Sequence, residues 1–448
     1  MILINNYGKY RNMKLMYKQK ILILCLSSII ALSGCEINDE NTNINPPITE
    51  ETNHYIGTFV SERPYTLDSL DNAQSMKVMD YTMPNINGDT ITTSAFVFFP
   101  KTPKPTGGYK VVVWQHGTLG VGNDCAPTAN PMNVRFKNPL AKSLLDAGYV
   151  VIAPDYEGLG SVGIHPYLNV ESQAKSSIAA VQAAQVYYAH LLSKEWMTVG
   201  QSQGGQASLG TAEYITQYPD AGYKGAVAGA PASGLENIAQ NIGATLAAIE
   251  AQEKAAGLSI AERENGSIHA LATLMTYGAF FTTSLKAIDP RFDQLSLYES
   301  DRLKNMVALA EGATGEEGLC LENSFNPENG LRNRFKRDIS SYLTENPDKS
   351  INDYNSLNMD RFMASEVVAQ SIRNSKIGDI AMNTPIMIIQ GTEDIEVPFA
   401  VTDALQQKYR SMGVDVTFVP AEGAIHTQAI VDKNNDLLTF IQSKMPAQ

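Results

Sequence analysis

Ser202 lies in a segment whose residue types and spacing can support nucleophilic chemistry. The segment VGQSQGG, residues 199–205, surrounds one hydroxyl with three glycines, and Gly200, Ser202 and Gly204 fit the pattern G-x-S-x-G. A β-rich run precedes it and a helix-compatible run follows it. Such a turn raises the serine hydroxyl above the backbone and aims the next N–H, that of Gln203, at the same point. Because the pentapeptide alone is common, the prediction depends on partners elsewhere in the chain.

The first partner must be a base, because a serine hydroxyl attacks only when its proton is removed. In folds with this turn an acid and then a histidine follow the serine. Two histidines follow Ser202 in this chain. His426 lies in a loop between an apparent strand and the last helix, where such a fold carries its base. We therefore predict His426, and we expect His269, in a helix-like segment, to pack or to face solvent.

The second partner is an acid that orients the base. The buried run IIQG is followed by Glu393, Asp394 and Glu396. Asp394 is predicted, since it fits the pattern G-x-x-D-x-x-V-P of this type of fold from Gly391 to Pro398. Glu393 is the alternative, and either carboxylate could instead be a solvated charge near a helix N-terminus.

The elements that must position these residues follow from an alternation of strands and helices. Short apolar runs that end in Gly, Pro or Asp predict strands buried on both faces of a sheet, as in parallel sheets: YKVVVWQHG, GYVVIAPDYEG, EWMTVGQSQGG, YKGAVAGAP and TPIMIIQGTED. Helix-compatible segments alternate with them, and a hairpin over residues 76–83 and 90–100 precedes them. The predicted fold class is α/β, a mostly parallel doubly wound sheet with its ligand site at the carboxyl ends of the strands.

A long interval between Pro231 and Thr384 breaks this alternation. Its roughly 150 residues are too many for a loop, and their composition favours helices. We predict a helical cap over the carboxyl edge of the sheet, whose apolar residues form their own core or also line a substrate cavity. The predicted organisation is as follows: signal peptide 1–34, flexible tether 35–54, α/β core 55–232 and 381–448, and helical cap 233–380.

The N-terminus has the pattern of a targeting segment. Basic residues precede the apolar run of residues 21–33, which is too short for a permanent membrane span. The sequence LSGC at residues 32–35 resembles the lipobox of bacterial lipoprotein signal peptides, which implies lipidation of Cys35 and attachment to the cell envelope. Glu36, in place of an inner-membrane retention Asp, favours the outer membrane. A plain secretory signal and an uncleaved anchor are the alternatives.

The charge and the cysteines restrict partners further. The net charge is −13, and removal of the basic leader makes it more negative. Such a surface repels nucleic acid, so membrane attachment would come from the lipid. Cys125 and Cys320 remain after the leader and Cys35 are set aside; they can pair in an oxidising compartment, but the sequence does not report their distance. No H-E-x-x-H or other metal-ligand spacing occurs, and no cofactor is predicted.

Three segments, HGTLG, residues 153–185 and GQSQGGQASLG, together with the long cap, resemble the secretory lipase family of α/β-hydrolases over residues 111–448. The resemblance implies a serine carboxylic ester hydrolase of the lipase or carboxylesterase type, with an ester as its substrate and a cap that forms the acyl pocket. It implies an oxyanion hole from the N–H groups of Thr118 and Gln203, with His116 structural. The sequence departs from the family at Gln201, where related turns often carry Tyr or His.

Two other functions remain open at this stage. A serine peptidase of the same fold would use the same residues and would need an acidic anchor for a substrate amine, for which the GEEG segment of residues 315–318 is a candidate. A non-catalytic, surface-binding lipoprotein could keep the fold, although a retired site would be expected to lose some of these residues. Asp155, in the loop after VVIAP, is predicted to be a structural hydrogen-bond acceptor.

Overall fold

The computed structural model describes residues 56–313 and 317–448, without the side chains of residues 237–241. The predicted signal peptide, the lipidation site Cys35 and the tether of residues 35–54 lie outside the described residues. Within residues 56–313 and 317–448, no helix combines the length and the apolar composition that a membrane span requires.

The described chain is built around one sheet of nine strands in the order β1-β2-β3-β5-β4-β6-β7-β8-β9. The first three strands and the β3–β5 pair are antiparallel, and all pairs from β5 to β9 are parallel. The strands are β1 (Thr58–Pro64), β2 (Ala73–Pro84), β3 (Thr90–Pro100), β4 (Tyr109–Gln115), β5 (Val150–Pro154), β6 (Leu192–Gln201), β7 (Tyr223–Gly229), β8 (Ile386–Gly391) and β9 (Val416–Ala421).

The predicted hairpin and the predicted parallel strands are confirmed. β2 and β3 pair in antiparallel register across the turn at Asn85–Asp89. β5 and β8 are buried along their whole length, as continuous apolar runs require. The sequence did not predict β1, because this edge strand is largely exposed and rich in polar residues and carries no apolar periodicity.

Helices cover both faces of the sheet, as the doubly wound prediction requires. One apolar layer includes Ile178, Leu209 and Leu405, and the other includes Leu144 and Ile441. The helices are α1 (Lys142–Asp146), α2 (Val170–Tyr187), α3 (Gln203–Gln217), α4 (Leu235–Ala255), α5 (Ile260–Arg263), α6 (Ser267–Ser284), α7 (Asp301–Ala308), α8 (Leu331–Glu345), α9 (Met359–Ala364), α10 (Glu366–Asn374), α11 (Phe399–Ser411), α12 (Ala429–Asp432) and α13 (Asn434–Lys444).

Helices α4 to α10 form the segment between β7 and β8. They have an apolar cluster of their own, which also takes in Val121 from the loop after β4 and Tyr167 and Leu168 from the loop after β5. These helices therefore pack on the loops at the carboxyl ends of two central strands. The exact domain boundaries predicted from the sequence stay predictions, and we refer to residues 230–385 as the cap.

A disulfide joins Cys125, in the loop after β4, to Cys320 in the cap. The Cα atoms are 5.4 Å apart although the two residues are separated by 195 positions. Next to this bond, the Leu321 N–H donates to the Leu119 carbonyl at 2.7 Å. The pairing that the sequence left open is thus present, and it ties the cap to the loop that follows β4.

Candidate active site

Ser202 occupies the single residue between β6 and α3. Its backbone has φ 61° and ψ −119°, a conformation that residues other than glycine rarely adopt. The turn can form because Gly200 and Gly204 have no Cβ: one at Gly200 would overlap the Gly204 carbonyl, and one at Gly204 would overlap the Gln115 carbonyl on β4. Strand, turn and helix are therefore in contact through bare backbone, as the predicted turn requires.

The structure brings Ser202, His426 and Asp394 into one hydrogen-bonded relay. Ser202 Oγ and His426 Nε2 are 2.8 Å apart, and His426 Nδ1 and Asp394 Oδ2 are also 2.8 Å apart. Asp394 lies in the loop after β8 and His426 in the loop after β9, and both are buried. The side chain of Glu393, the alternative acid, is exposed, and Asp394 is the residue that contacts the imidazole.

Backbone and side-chain donors fix the Asp394 carboxylate in place. Its Oδ1 accepts from the backbone N–H groups of Glu396 and Val397, both at 2.9 Å. Its Oδ2 accepts from Gln390 Nε2 at 2.9 Å in addition to the imidazole of His426. A carboxylate held by this many donors orients the ring that faces it and stabilises positive charge on that ring.

The imidazole ring of His426 lies between two carboxylates, those of Asp394 and Glu396. Glu396 Oε2 lies 3.8 Å from Nε2, on the side opposite Asp394. Burial of the ring disfavours the imidazolium, but Glu396 and then Asp394 outweigh that cost and raise the pKa of His426 to about 9, with Arg135 acting in the opposite direction. The neutral imidazole that can accept the Ser202 proton therefore becomes the main form only in the alkaline range.

Gln201, the departure from the family pattern, lies between the serine turn and the histidine loop. Its Nε2 donates to the backbone carbonyl of His426 at 3.1 Å. A Cβ built on Gly117 would come within 3.0 Å of the Gln201 backbone oxygen and 3.3 Å of its amide oxygen, so Gln201 also lies close to the loop after β4. Gln201 thus links the loop that carries the base to the turn that carries the serine.

The predicted oxyanion-hole residues lie in the loop after β4 and at the start of α3. The Thr118 hydroxyl is 2.7 Å from the Tyr167 hydroxyl, in a buried environment. Gln203 is the first residue of α3, and its side-chain Nε2 is 2.8 Å from His165 Nε2. His165 Nδ1 lies 2.7 Å from the Glu157 carbonyl, so Nδ1 carries the ring proton and Nε2 accepts from Gln203. The roles of the two backbone N–H groups stay predictions.

His116 and Asp155 join two loops next to the serine. The ring nitrogens of His116 face the carbonyls of Gly117 at 2.8 Å and Asp155 at 3.2 Å, and burial lowers its pKa to about 4. The buried Asp155 carboxylate accepts from the backbone N–H of Thr128 at 3.0 Å and from the Thr128 hydroxyl. These contacts are those of residues that hold loops, in keeping with the structural roles predicted for both.

An apolar slot in the cap opens beside Glu396. Its volume is about 30 Å³. His269 borders it, and burial lowers the pKa of this histidine to about 4, so that it is neutral at ordinary pH. The other residues that line the slot are Ile242, Thr245, Leu246, Ile249, Ala270, Thr273, Leu274 and Ile395. The slot therefore offers an apolar surface next to the relay.

Sequence reasoning missed the pair of Glu396 and Tyr277. The sequence places Glu396 only among the carboxylates that follow β8, and it gives no indication of a role for Tyr277 on α6 of the cap. The Tyr277 hydroxyl donates to Glu396 Oε2 at 2.7 Å. The contact spans 119 positions, and no local pattern in the sequence indicates it. Within residues 56–313 and 317–448, no group of three or more His, Cys, Asp or Glu side chains is arranged to hold a metal ion.

Comparisons with known proteins bear on the fold and on the segment around Ser202. The model of the secretory lipase family matches residues 126–267, a range that contains Ser202 but neither Asp394 nor His426. No curated protein matches the chain. The structure resembles a rice cell wall degrading esterase, LipA from Xanthomonas oryzae, with 18% identity, 86% of this chain and 97% of that chain covered, and a TM-score of 0.61.

Two further solved structures are similar. Candida antarctica lipase A in its closed state has 16% identity, with 86% of this chain and 81% of that chain covered and a TM-score of 0.61. A hydrolase described as putative, from Legionella pneumophila, has 20% identity, with 87% and 98% covered and a TM-score of 0.58. At these identities the likeness establishes the fold, which is the α/β-hydrolase fold.

Gln201→Met should slow the reaction of Ser202 with a fluorophosphonate about fivefold. The substitution keeps the length of the side chain but removes the donor to the His426 carbonyl, a hydrogen bond worth about 1 kcal/mol. The rate of covalent labelling, followed by intact-protein mass, measures the effect. Gln428→Met is the control, because Gln428 lies on the same loop with an exposed side chain. Equal rates for both variants and the unsubstituted protein would exclude this role for Gln201.

Proposed function

We propose that this protein is a serine carboxylic ester hydrolase of the lipase and esterase type. The observation that carries the proposal is the relay in which Ser202 and Asp394 flank the two ring nitrogens of His426 at 2.8 Å each. The match to the secretory lipase family and the α/β-hydrolase fold support it.

The relay performs acyl transfer in two halves. In the first, His426 Nε2 takes the proton of Ser202 Oγ as the oxygen attacks the ester carbonyl, and the same proton then goes to the departing alcohol. This leaves the acyl group on Ser202 as an ester. In the second half, a water molecule gives its proton to His426 and attacks that ester, and the proton returns to Ser202 as the carboxylic acid leaves. Asp394 stays ionised and stabilises the imidazolium in both halves.

The negative charge that develops on the carbonyl oxygen needs donors already in place. We assign this role to the backbone N–H groups of Thr118 and Gln203. Gln203 begins α3, whose N-terminus adds a favourable dipole. The loop of residues 116–118 lies against the serine turn, because a Cβ built on Gly117 would come within 3.7 Å of Ser202 Cβ.

Ser202→Ala should abolish hydrolysis of short p-nitrophenyl esters and labelling by a fluorophosphonate, while the thermal unfolding midpoint stays close to that of the unsubstituted protein. The reason is that Ser202 Oγ is the nucleophile that forms the acyl-enzyme in this proposal. Release of p-nitrophenol and in-gel fluorescence of the probe measure the two losses. Ser443→Ala, on the exposed side of α13, is the control and should keep full activity. A folded unsubstituted protein that neither reacts with the probe nor hydrolyses esters would favour the binding lipoprotein instead.

The size of the acyl group should be limited by the slot beside Glu396. The slot, at about 30 Å³, has room for about one water-sized group. A long acyl chain would therefore have to displace cap side chains, so we expect kcat/KM for p-nitrophenyl butyrate to exceed that for the palmitate ester. Aminoacyl p-nitroanilides test the peptidase alternative and should not be cleaved. A preference for palmitate would contradict the short-chain assignment, and efficient amide cleavage would establish a peptidase. Part of the GEEG segment, the candidate anchor for that alternative, lies outside the described residues.

We further propose that the protein is attached to the cell envelope, in the outer membrane, through a lipid on Cys35. The sequence LSGC and the basic and apolar segments before it support this proposal. Cys35→Ser should move the protein from the membrane fraction to the soluble fraction of a host with lipoprotein processing, and it should abolish metabolic labelling with palmitate. Cys25→Ser is the matched control, because Cys25 lies in the apolar run that the proposed processing removes, and it should keep both properties. Retention of the Cys35 variant in the membrane would remove the proposal.

A further inference from the structure

Glu396 places a second carboxylate at the reactive edge of His426. Its backbone N–H donates to Asp394 Oδ1, but its own side chain extends to the other side of the ring, where Oε2 is 3.8 Å from Nε2. Nε2 is also the nitrogen that contacts Ser202 Oγ at 2.8 Å. The nitrogen that gains and loses the proton therefore faces both the nucleophile and a carboxylate.

The cap holds this carboxylate in position. Tyr277, on α6, donates to Glu396 Oε2, the same oxygen atom that faces the imidazole, at 2.7 Å. The Glu396 side chain is 22% exposed, whereas that of Asp394 is 0% exposed. Asp394 is thus fixed within the core, and the position of Glu396 depends on a residue of the cap.

We propose that Glu396, held by Tyr277, is a positioning residue that acts through His426. Because Tyr277 lies on α6, the basicity of the imidazole then depends on how the cap packs against the loop after β8. The proposal rests on the proposed ester hydrolase function. Glu396 makes and breaks no covalent bond and transfers no proton. Its charge stabilises the imidazolium formed when Nε2 takes the Ser202 proton, and that stabilisation is lost when the proton passes to the leaving alcohol.

The direction of the effect on the pH profile follows from the sign of the charge. The neutral imidazole is the active form of the free enzyme, so kcat/KM rises with pH through the pKa of His426. A carboxylate near Nε2 favours the imidazolium and moves this rise toward alkaline pH, in agreement with the value of about 9 that results when the carboxylates outweigh burial. Removing the charge of Glu396 should move the rise toward lower pH.

Other titratable groups near this pair have pKa values far from that of His426. Burial lowers the pKa of His269 on α6 to about 4 and raises the pKa values of Tyr277 and Tyr167 above the ordinary range. The remaining charged groups that act on His426, Tyr277 or His269 are Asp394, Arg135, Arg332 and Lys336. Because His269, Tyr277 and Tyr167 titrate far from pH 9, the rise of kcat/KM with pH reports the titration of His426.

The test is the pH profile of kcat/KM for p-nitrophenyl butyrate with Glu396→Gln, which removes the charge at nearly constant shape. We expect the rise to move to lower pH by about one unit, and the plateau at high pH to fall because the imidazolium in the transition state loses its partner. Tyr277→Phe should move the rise in the same direction by less, because Glu396 is then no longer held. Glu422→Gln, an exposed change in the loop that carries His426, should leave the profile unchanged.

The rate of fluorophosphonate labelling against pH provides a second readout that does not require an ester substrate. An unchanged rise in a folded, active Glu396→Gln variant would overturn this inference and leave the proposed function standing. An unchanged rise in Tyr277→Phe would overturn the role of the cap. If the unsubstituted protein neither hydrolyses esters nor reacts with the probe, the proposed function itself fails.

Discussion

The close contact between β6 and α3 is the constraint on which the site depends. The backbone of α3 can approach β6 because Gly200 has no side chain, and it can approach β4 because Gly204 has none. This close approach places Ser202 at a φ of 61°. Such strain persists only where the surroundings hold it. The Ser202 N–H donates to the Gly229 carbonyl on β7 at 2.8 Å, and the Ser202 carbonyl accepts from Gln206 and Ala232. The serine is therefore fixed from neighbouring elements of the sheet before any side chain approaches its hydroxyl.

The other members of the relay are positioned by the parallel arrangement of the strands. β8 and β9 are parallel neighbours, so the loops after them leave the sheet at the same edge and bring Asp394 and His426 together although 32 positions separate them. The Gln201 contact to the His426 carbonyl then joins this pair of loops to the serine turn. Sheet topology sets the approximate positions, and individual hydrogen bonds set the final distances.

The sequence could predict what is encoded locally. Apolar runs identified β4 to β8 because strands buried on both faces need no polar alternation, and the order of Ser202, Asp394 and His426 followed from their places at strand ends. Three features could not be predicted in the same way. β1 carries no apolar pattern. The last helical segment divides at Lys433 into α12 and α13. The contact of Tyr277 with Glu396 depends on how the cap packs.

The two carboxylates around His426 differ in what holds them, and this difference separates their roles. Asp394 accepts hydrogen bonds from two backbone N–H groups of its own loop and from the Gln390 side chain on β8. None of these donors belongs to the cap. Asp394 orients the ring whatever the cap does. Glu396 is bound by Tyr277, and the cap is itself tied to the loop after β4 by the Cys125–Cys320 disulfide and the Leu321–Leu119 hydrogen bond. The cap therefore affects the electrostatic potential at Nε2 through the charge of Glu396. The positions of Ser202, His426 and Asp394 are set by the sheet and the loops that follow its strands.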